Sequence, residues 1–163
     1  MKSIKSAVVT LLGLTSLLIS FSALSNEAVD AVKQLYRAVD GEAYNSATLD
    51  RLLAKDFKDH NREHVQEGVS DRDASIYFYG QLAKGFPDGV HTAEMLEPIG
   101  KDKVLLYWDY TATNTGEFFG MPPSGNKISI KGVEIFKVKN GQITDMWHIE
   151  ELQKMEKQLK GGH

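Results

Sequence analysis

In the stretch KISIKGVEIFKVK, Ile128, Ile130, Glu134, Phe136 and Val138 share one face of a period-two run. A carboxylate in that company is costly unless it is paired, protonated or open to a wet cavity. Desolvation raises its pKa toward values useful for proton transfer at neutral pH. The bland alternative is an edge position, or a bulge at Gly132, that turns Glu134 to water. His148 follows Trp147 on the next predicted strand, and imidazole exchanges protons near neutrality. His60, in FKDHN, stands near a predicted helix end, where a side chain reaches a cavity mouth as readily as solvent. His60 and His64 have a spacing that binds zinc on a helix. Asn61 and Arg62 break any apolar face there and no third ligand follows, so no metal is expected. His91 has no partner that the sequence names, and His163 lies in the tail. Phosphate-loop, nucleophile-elbow and H-E-x-x-H patterns do not occur.

The elements that would position these groups divide into a helical first half and a strand-rich second half. In residues 27–40, Ala28, Val32, Leu35, Tyr36 and Val39 recur at helical spacing before Gly41. NSATLDRLLAKDF predicts a second helix with Leu49, Leu52 and Leu53 on one side and Asn45 or Ser46 as cap. Residues 70–85 predict a third, with Ser70 and Asp73 in a capping-box arrangement and a core stripe of Ala74, Tyr77 or Phe78, and Leu82. Strands follow over 90–98 and in VLLYWDYTATN, where Val104, Leu106, Trp108 and Tyr110 alternate with polar or outward positions. Asn140–Gly141 is the strongest short hairpin signal in the chain, and QITDMWHIE returns as its partner. ELQKMEKQL makes a short amphipathic tail carrying Leu152, Met155 and Leu159. Helices first and an antiparallel meander second define an α+β domain: a cone-shaped, curved antiparallel sheet with three N-terminal helices packed on its concave face. Such a cone holds small, largely apolar ligands at its open end.

Hairpin register decides whether Glu134 meets His148. With a plain two-residue turn, Glu134 opposes Trp147 and Val133 opposes His148, which puts acid and imidazole on opposite faces. A one-residue slip exchanges the faces and brings them together. The segment GEFFGMPPSG, residues 116–125, carries more apolar surface than a turn needs. Phe118, Phe119 and Met121 either fold over a cavity mouth or cover the end of the core, stiffened by Pro122 and Pro123.

The opening 25 residues pair Lys2 and Lys5 with a short apolar run ending in ALS, the form of a cleaved secretory signal peptide. Its removal takes two lysines and no acid, moving the net charge from −3 to −5. That balance argues against nucleic acid or an anionic membrane as partner. The absence of cysteine excludes disulfides, thiol catalysis, Cys-bound metal and a lipoprotein anchor. The expected product is one domain, 26–163, that is secreted or periplasmic.

DHN at 59–61, FPD at 86–88 and TNTGEFFGMPPSGNKISIKGVEIFKVKNGQITDMW at 113–147 together resemble the SnoaL-like polyketide cyclases, or ester cyclases. The likeness spans nearly all of residues 26–163 and implies the cone of the nuclear-transport-factor and ketosteroid-isomerase superfamily. It implies cofactor-free proton transfer beside a carbonyl, with His148 at the position of the family's acid–base aspartate. Glu134 then takes the place of a neighbouring pocket histidine, and Ala112-Thr113-Asn114 stands where the family often has GTH. A surviving His–Glu dyad requires the bulged hairpin.

Two functions follow. One is a cyclase, isomerase or lyase acting on a small hydrophobic carbonyl compound, with His148 as base and Glu134 as its orienting partner. Asp59 or His60 would touch the pocket rim, and Trp108, Tyr110, Phe118, Phe119, Met121 and Met146 would form its walls. The other is a non-catalytic binder of an apolar ligand. No cofactor is expected, and a homodimer through the sheet is.

Overall fold

The computed structural model describes residues 26–62 and 67–162. The predicted signal peptide, His64 and His163 fall outside them. Among the described residues, four α-helices accompany a five-stranded, curved, unclosed mixed sheet. Helix α1 runs through residues 26–39, α2 is Ser46–Leu52, α3 Asp71–Gly85 and α4 Leu152–Leu159. The strands are β1 (Leu53–Asp59), β2 (Val90–Ile99), β3 (Lys103–Thr113), β4 (Lys127–Lys139) and β5 (Gln142–Glu150), ordered β1-β5-β4-β3-β2.

Two sequence expectations fail at β1. The second helix was expected to run to Phe57, but it stops at Leu52 and the chain continues as a strand. That strand pairs parallel to β5, so the sheet is mixed rather than wholly antiparallel. Asn45 caps α2 as expected, its side chain accepting from Thr48 N–H at 2.9 Å. Leu49, Leu52 and Leu53 are all buried. Their spacing serves a helix ending and a strand beginning equally well. In α3 the Ser70 cap also forms, but the buried stripe is Ser75, Tyr79, Leu82 and Ala83. Tyr77 and Phe78 point outward.

The inner face of the sheet carries Val104, Leu106, Trp108, Tyr110 and Ala112 of β3 and Ile128, Ile130, Phe136 and Val138 of β4, all buried. Gly132 belongs to this face because a Cβ there would sit 2.2 Å from Trp108 Cζ2. Only a glycine lets the indole lie that close to the strand. Tyr36 brings α1 onto the same face, its ring edge-on to Phe136. The amphipathic tail forms α4 and lies against β4. Gln158 exchanges hydrogen bonds with the backbone of Ser129, and the backbone N–H of Glu151 donates to Lys131 O.

The β4–β5 hairpin settles the register. Asn140 and Gly141 both have positive φ, and Lys139 opposes Gln142 as expected. The register then shifts between Val138↔Ile143 and Lys137↔Asp145. The extra residue, Thr144, is a β-bulge. Beyond it Phe136 opposes Met146 and Glu134 opposes His148. The plain register is therefore overturned in favour of the bulged one.

Candidate active site

Strand β4 carries Glu134 inward, where the residue is 4 % exposed, and no bulge at Gly132 turns it to solvent. The Tyr36 hydroxyl donates to its carboxylate. Burial, reinforced by Glu150, lifts the Glu134 pKa to about 7, against the favourable pull of the Tyr36 hydrogen bond, His148 and Trp108. The indole N–H of Trp108 lies close enough to favour the carboxylate but is sealed without a hydrogen bond of its own. Tyr36 and Tyr79 are both pushed well above the usual phenol range, first by burial and then by the nearby Glu134. Glu134 is thus a carboxyl poised to gain or lose a proton near neutrality.

His148 stands directly across from it, between two carboxylates. Nδ1 lies 2.6 Å from Glu150 Oε1 and Nε2 lies 2.9 Å from Asp59 Oδ1. Burial opposes its charge, yet these two hydrogen bonds raise its pKa to about 10. Asp59 is lowered, against its own burial, by His148 and by the Asn61 N–H. At neutral pH the ring is an imidazolium donating from both nitrogens. A ring in that state has no lone pair with which to take a proton, so the expected role of His148 as base does not suit this geometry. It suits a fixed cation better. The DHN segment builds the setting: Asp59 holds the ring, and Asn61 Oδ1 accepts from His148 backbone N–H at 3.1 Å.

His60 goes elsewhere. Its Nε2 lies 2.9 Å from Asp145 and its ring stacks on Trp147 at 4.3 Å. Both partners alternate with Met146 and His148, so His60 sits on the outer side of the sheet and lines no interior wall. Tyr110 and Met146 are core residues, Tyr110 against Phe86 and Met146 opposite Phe136. Tyr36, Glu150 and Tyr79 were not singled out from sequence. Tyr36 had a signal, a polar tip on an apolar helical stripe, and Glu150 shares a strand face with His148.

Two cavities formed by the described residues bear on the site, and neither is lined by Glu134 or His148. One of about 350 Å³ is bordered by Phe78 of α3, by Asn114, Phe118, Met121, Pro122 and Ser124, and by Leu152, Met155, Glu156, Leu159 and Lys160 of α4 and its end. The 116–125 segment reaches it as a tight hairpin in which Phe118 and Met121 exchange backbone hydrogen bonds. Phe119 and Gly120 fill the turn with positive φ, so Phe119 points out, 46 % exposed, against Tyr77 and Phe78. The other cavity, about 120 Å³, is walled by Val32, Lys33, Tyr36 and Arg37 of α1 and by His91, Ala93, Leu96, Leu106 and Trp108. It touches Tyr36, which hydrogen-bonds Glu134, and Trp108, whose indole N–H lies near it. Among the described residues, no group of His, Asp and Glu is arranged to hold a metal ion, and no helix is long and apolar enough to cross a membrane.

Residues 30–159 match the profile of the SnoaL-like polyketide cyclases. IdmH of Streptomyces antibioticus, a proposed polyketide cyclase, superposes with a TM-score of 0.65 at 26% identity, covering 80% of this chain and 96% of its own. A proposed SnoaL-like polyketide cyclase from Jannaschia sp. CCS1 gives 0.70 at 22%, covering 85% and 94%. An LEH-like epoxide hydrolase of M. tuberculosis gives 0.59 at 15%, covering 84% and 92%. The last two bear on fold alone. No functionally curated protein matches significantly.

Proposed function

The chain belongs to the SnoaL-like polyketide cyclase family, and from that premise we propose that it catalyses cofactor-independent proton transfer on a small hydrophobic carbonyl compound, as a cyclase, isomerase or lyase. The observation that carries this reading is Glu134: enclosed, hydrogen-bonded by Tyr36, facing an imidazolium, and titrating near 7. Protonated, Glu134 backs the Tyr36 hydroxyl as a donor to a carbonyl oxygen. Ionised, it returns the proton. His148, fixed by Asp59 and Glu150, supplies positive charge that steadies an enolate in a site of low polarity. Because one fold hosts many chemistries, the type of bond made is set by the substrate rather than by the fold.

The reading predicts exchange of α-hydrogens from ketones into deuterated water, followed by proton NMR. Glu134→Gln keeps the shape and removes the titration, and loses about 10²-fold or more of that exchange, the usual worth of a general acid–base group. Full exchange in the folded variant would defeat the proposal.

A second reading, a ligand-binding protein without turnover, draws on the 350 Å³ cavity, which is almost wholly apolar and separate from Glu134. Native mass spectrometry showing a co-purified apolar molecule, with no ketone exchange, would favour it. We place the protein outside the cytoplasm on the form of residues 1–25. Pairing of two copies through the outer sheet face, where Val133 opposes an Ile149 that is 70 % exposed, is a further part of the proposal, checked by the mass of the native particle.

A further inference from the structure

His91, which sequence left without a partner, has one. Its Nδ1 lies 2.5 Å from Asp40 Oδ1, and its backbone N–H donates to Asp40 Oδ2 at 3.1 Å. The carboxylate fixes the tautomer with hydrogen on Nδ1. The ring is clamped edge-on by Tyr36 at 5.0 Å and Trp108 at 4.8 Å, and lies over Tyr110 at 4.3 Å. Its side chain is 6 % exposed. Nε2 has no hydrogen-bond partner among the described residues and is not one of the sealed polar atoms, which are Trp108 Nε1 and Tyr110 Oη.

The ring borders the 120 Å³ cavity, and so does Tyr36, the residue that bonds Glu134. The other described imidazoles are not available there. His148 has both nitrogens committed, and His60 lies on the outer side of the sheet. At about 120 Å³ the cavity is about a third the size of the 350 Å³ one and suits a small substrate better than a fused-ring one. Lys33 and Arg37, both exposed, border the same space.

We infer that His91, positioned by Asp40, is the proton acceptor of this chamber, and that the chamber takes a short-chain ketone or aldehyde. The inference rests on the proton-transfer reading above and supplies the base that His148 does not. In the step, a C–H bond beside the carbonyl breaks and its proton goes to Nε2. The electron pair forms the C=C bond of an enolate, whose oxygen takes a hydrogen bond from Tyr36 O–H, itself backed by the protonated Glu134. Return of a proton from Nε2 to carbon completes exchange or shifts a double bond, with no oxidant or reductant.

The test uses the full chain with 15N-labelled histidine and 2-butanone in deuterated water. Expected are α-hydrogen exchange into 2-butanone, movement of the His91 ring signals as it is added, and at least tenfold slower exchange in His91→Asn. Asp40→Asn, a positioning change, slows exchange less and broadens the ring signals as the tautomer is freed. Should His91→Asn fail to fold, His91→Gln and the ring signals of the unmodified protein decide. Unchanged exchange in a folded His91 variant, with loss in Glu134→Gln, overturns this inference and leaves the broader reading standing. Absence of exchange in the unmodified protein defeats both catalytic statements, even where ring signals move. Faster exchange of 2-tetralone than of 2-butanone overturns the size limit.

Discussion

Replacing Glu134 by glutamine should make the protein's stability respond differently to pH. The carboxyl ordinarily titrates at 4.5 and here at about 7. A raised acid means that the folded state holds the proton more tightly than the unfolded chain. The stability so gained is complete below 4.5 and is lost as pH rises through 7. Between pH 5 and pH 8 the linkage amounts to about 2.5 kcal/mol, at 1.36 kcal/mol per pKa unit. His148 also loses stabilisation as pH rises from its ordinary 6.5 toward about 10, but that loss is common to both proteins and cancels in the comparison. Urea unfolding at pH 5 and pH 8 gives the four free energies required. Glu134→Gln should gain about 2.5 kcal/mol on the parent between the two pH values. A gap that stays constant within about 0.5 kcal/mol would mean that Glu134 titrates as an ordinary surface acid, and the account of its environment would be wrong.

Imidazole NMR should find His148 charged through pH 8 and titrating near 10. His148→Ala, by stranding Asp59 and Glu150, should cost about 3–5 kcal/mol in chemical unfolding. Gly132→Ala drives a methyl into Trp108 and should cost about 1–3 kcal/mol, with a changed tryptophan emission. Asn114 is 3 % exposed, donates to Gly85 O and Gly116 O, and accepts from Ser124 N–H. Asn114→Ala should cost about 1–3 kcal/mol and hasten proteolysis within 116–125. Phe119 lines neither cavity and is 46 % exposed, so Phe119→Ala should lower Tm only slightly and leave a hydrophobic probe at the large cavity in place; loss of the probe would put that ring at the cavity mouth.

Local chemistry made much of this molecule legible. The Asn140–Gly141 turn, the Ser70 and Asn45 caps and the inward row from Ile128 to Val138 each act over a few residues, and each was visible as a pattern. Glu134 stood out because one charge broke that row. Strand β1 did not stand out, since LAKDFKD lacks alternation and its partner lies some ninety residues further on. The bulge at Thr144 has no compositional mark: a threonine suits a regular strand as well. Asp40 and His91 are 51 positions apart, joined only when α1 crosses the sheet. The pairing of His148 with Asp59, 89 positions away, had the same origin, and with Glu150 two residues on it altered that residue's chemistry from base to cation.

Thr144 has a consequence for how this protein can change over generations. Downstream of that residue, every position on the final strand pairs one step beyond the count set by the turn, and the additional link takes up the difference. Loss of its codon would close the bulge and leave His148 still across from Glu134, while leaving the composition of the strand almost untouched. Lengthening the nearby Asn140–Gly141 tip would disturb only solvent. The meeting of acid and imidazole would thus survive either change.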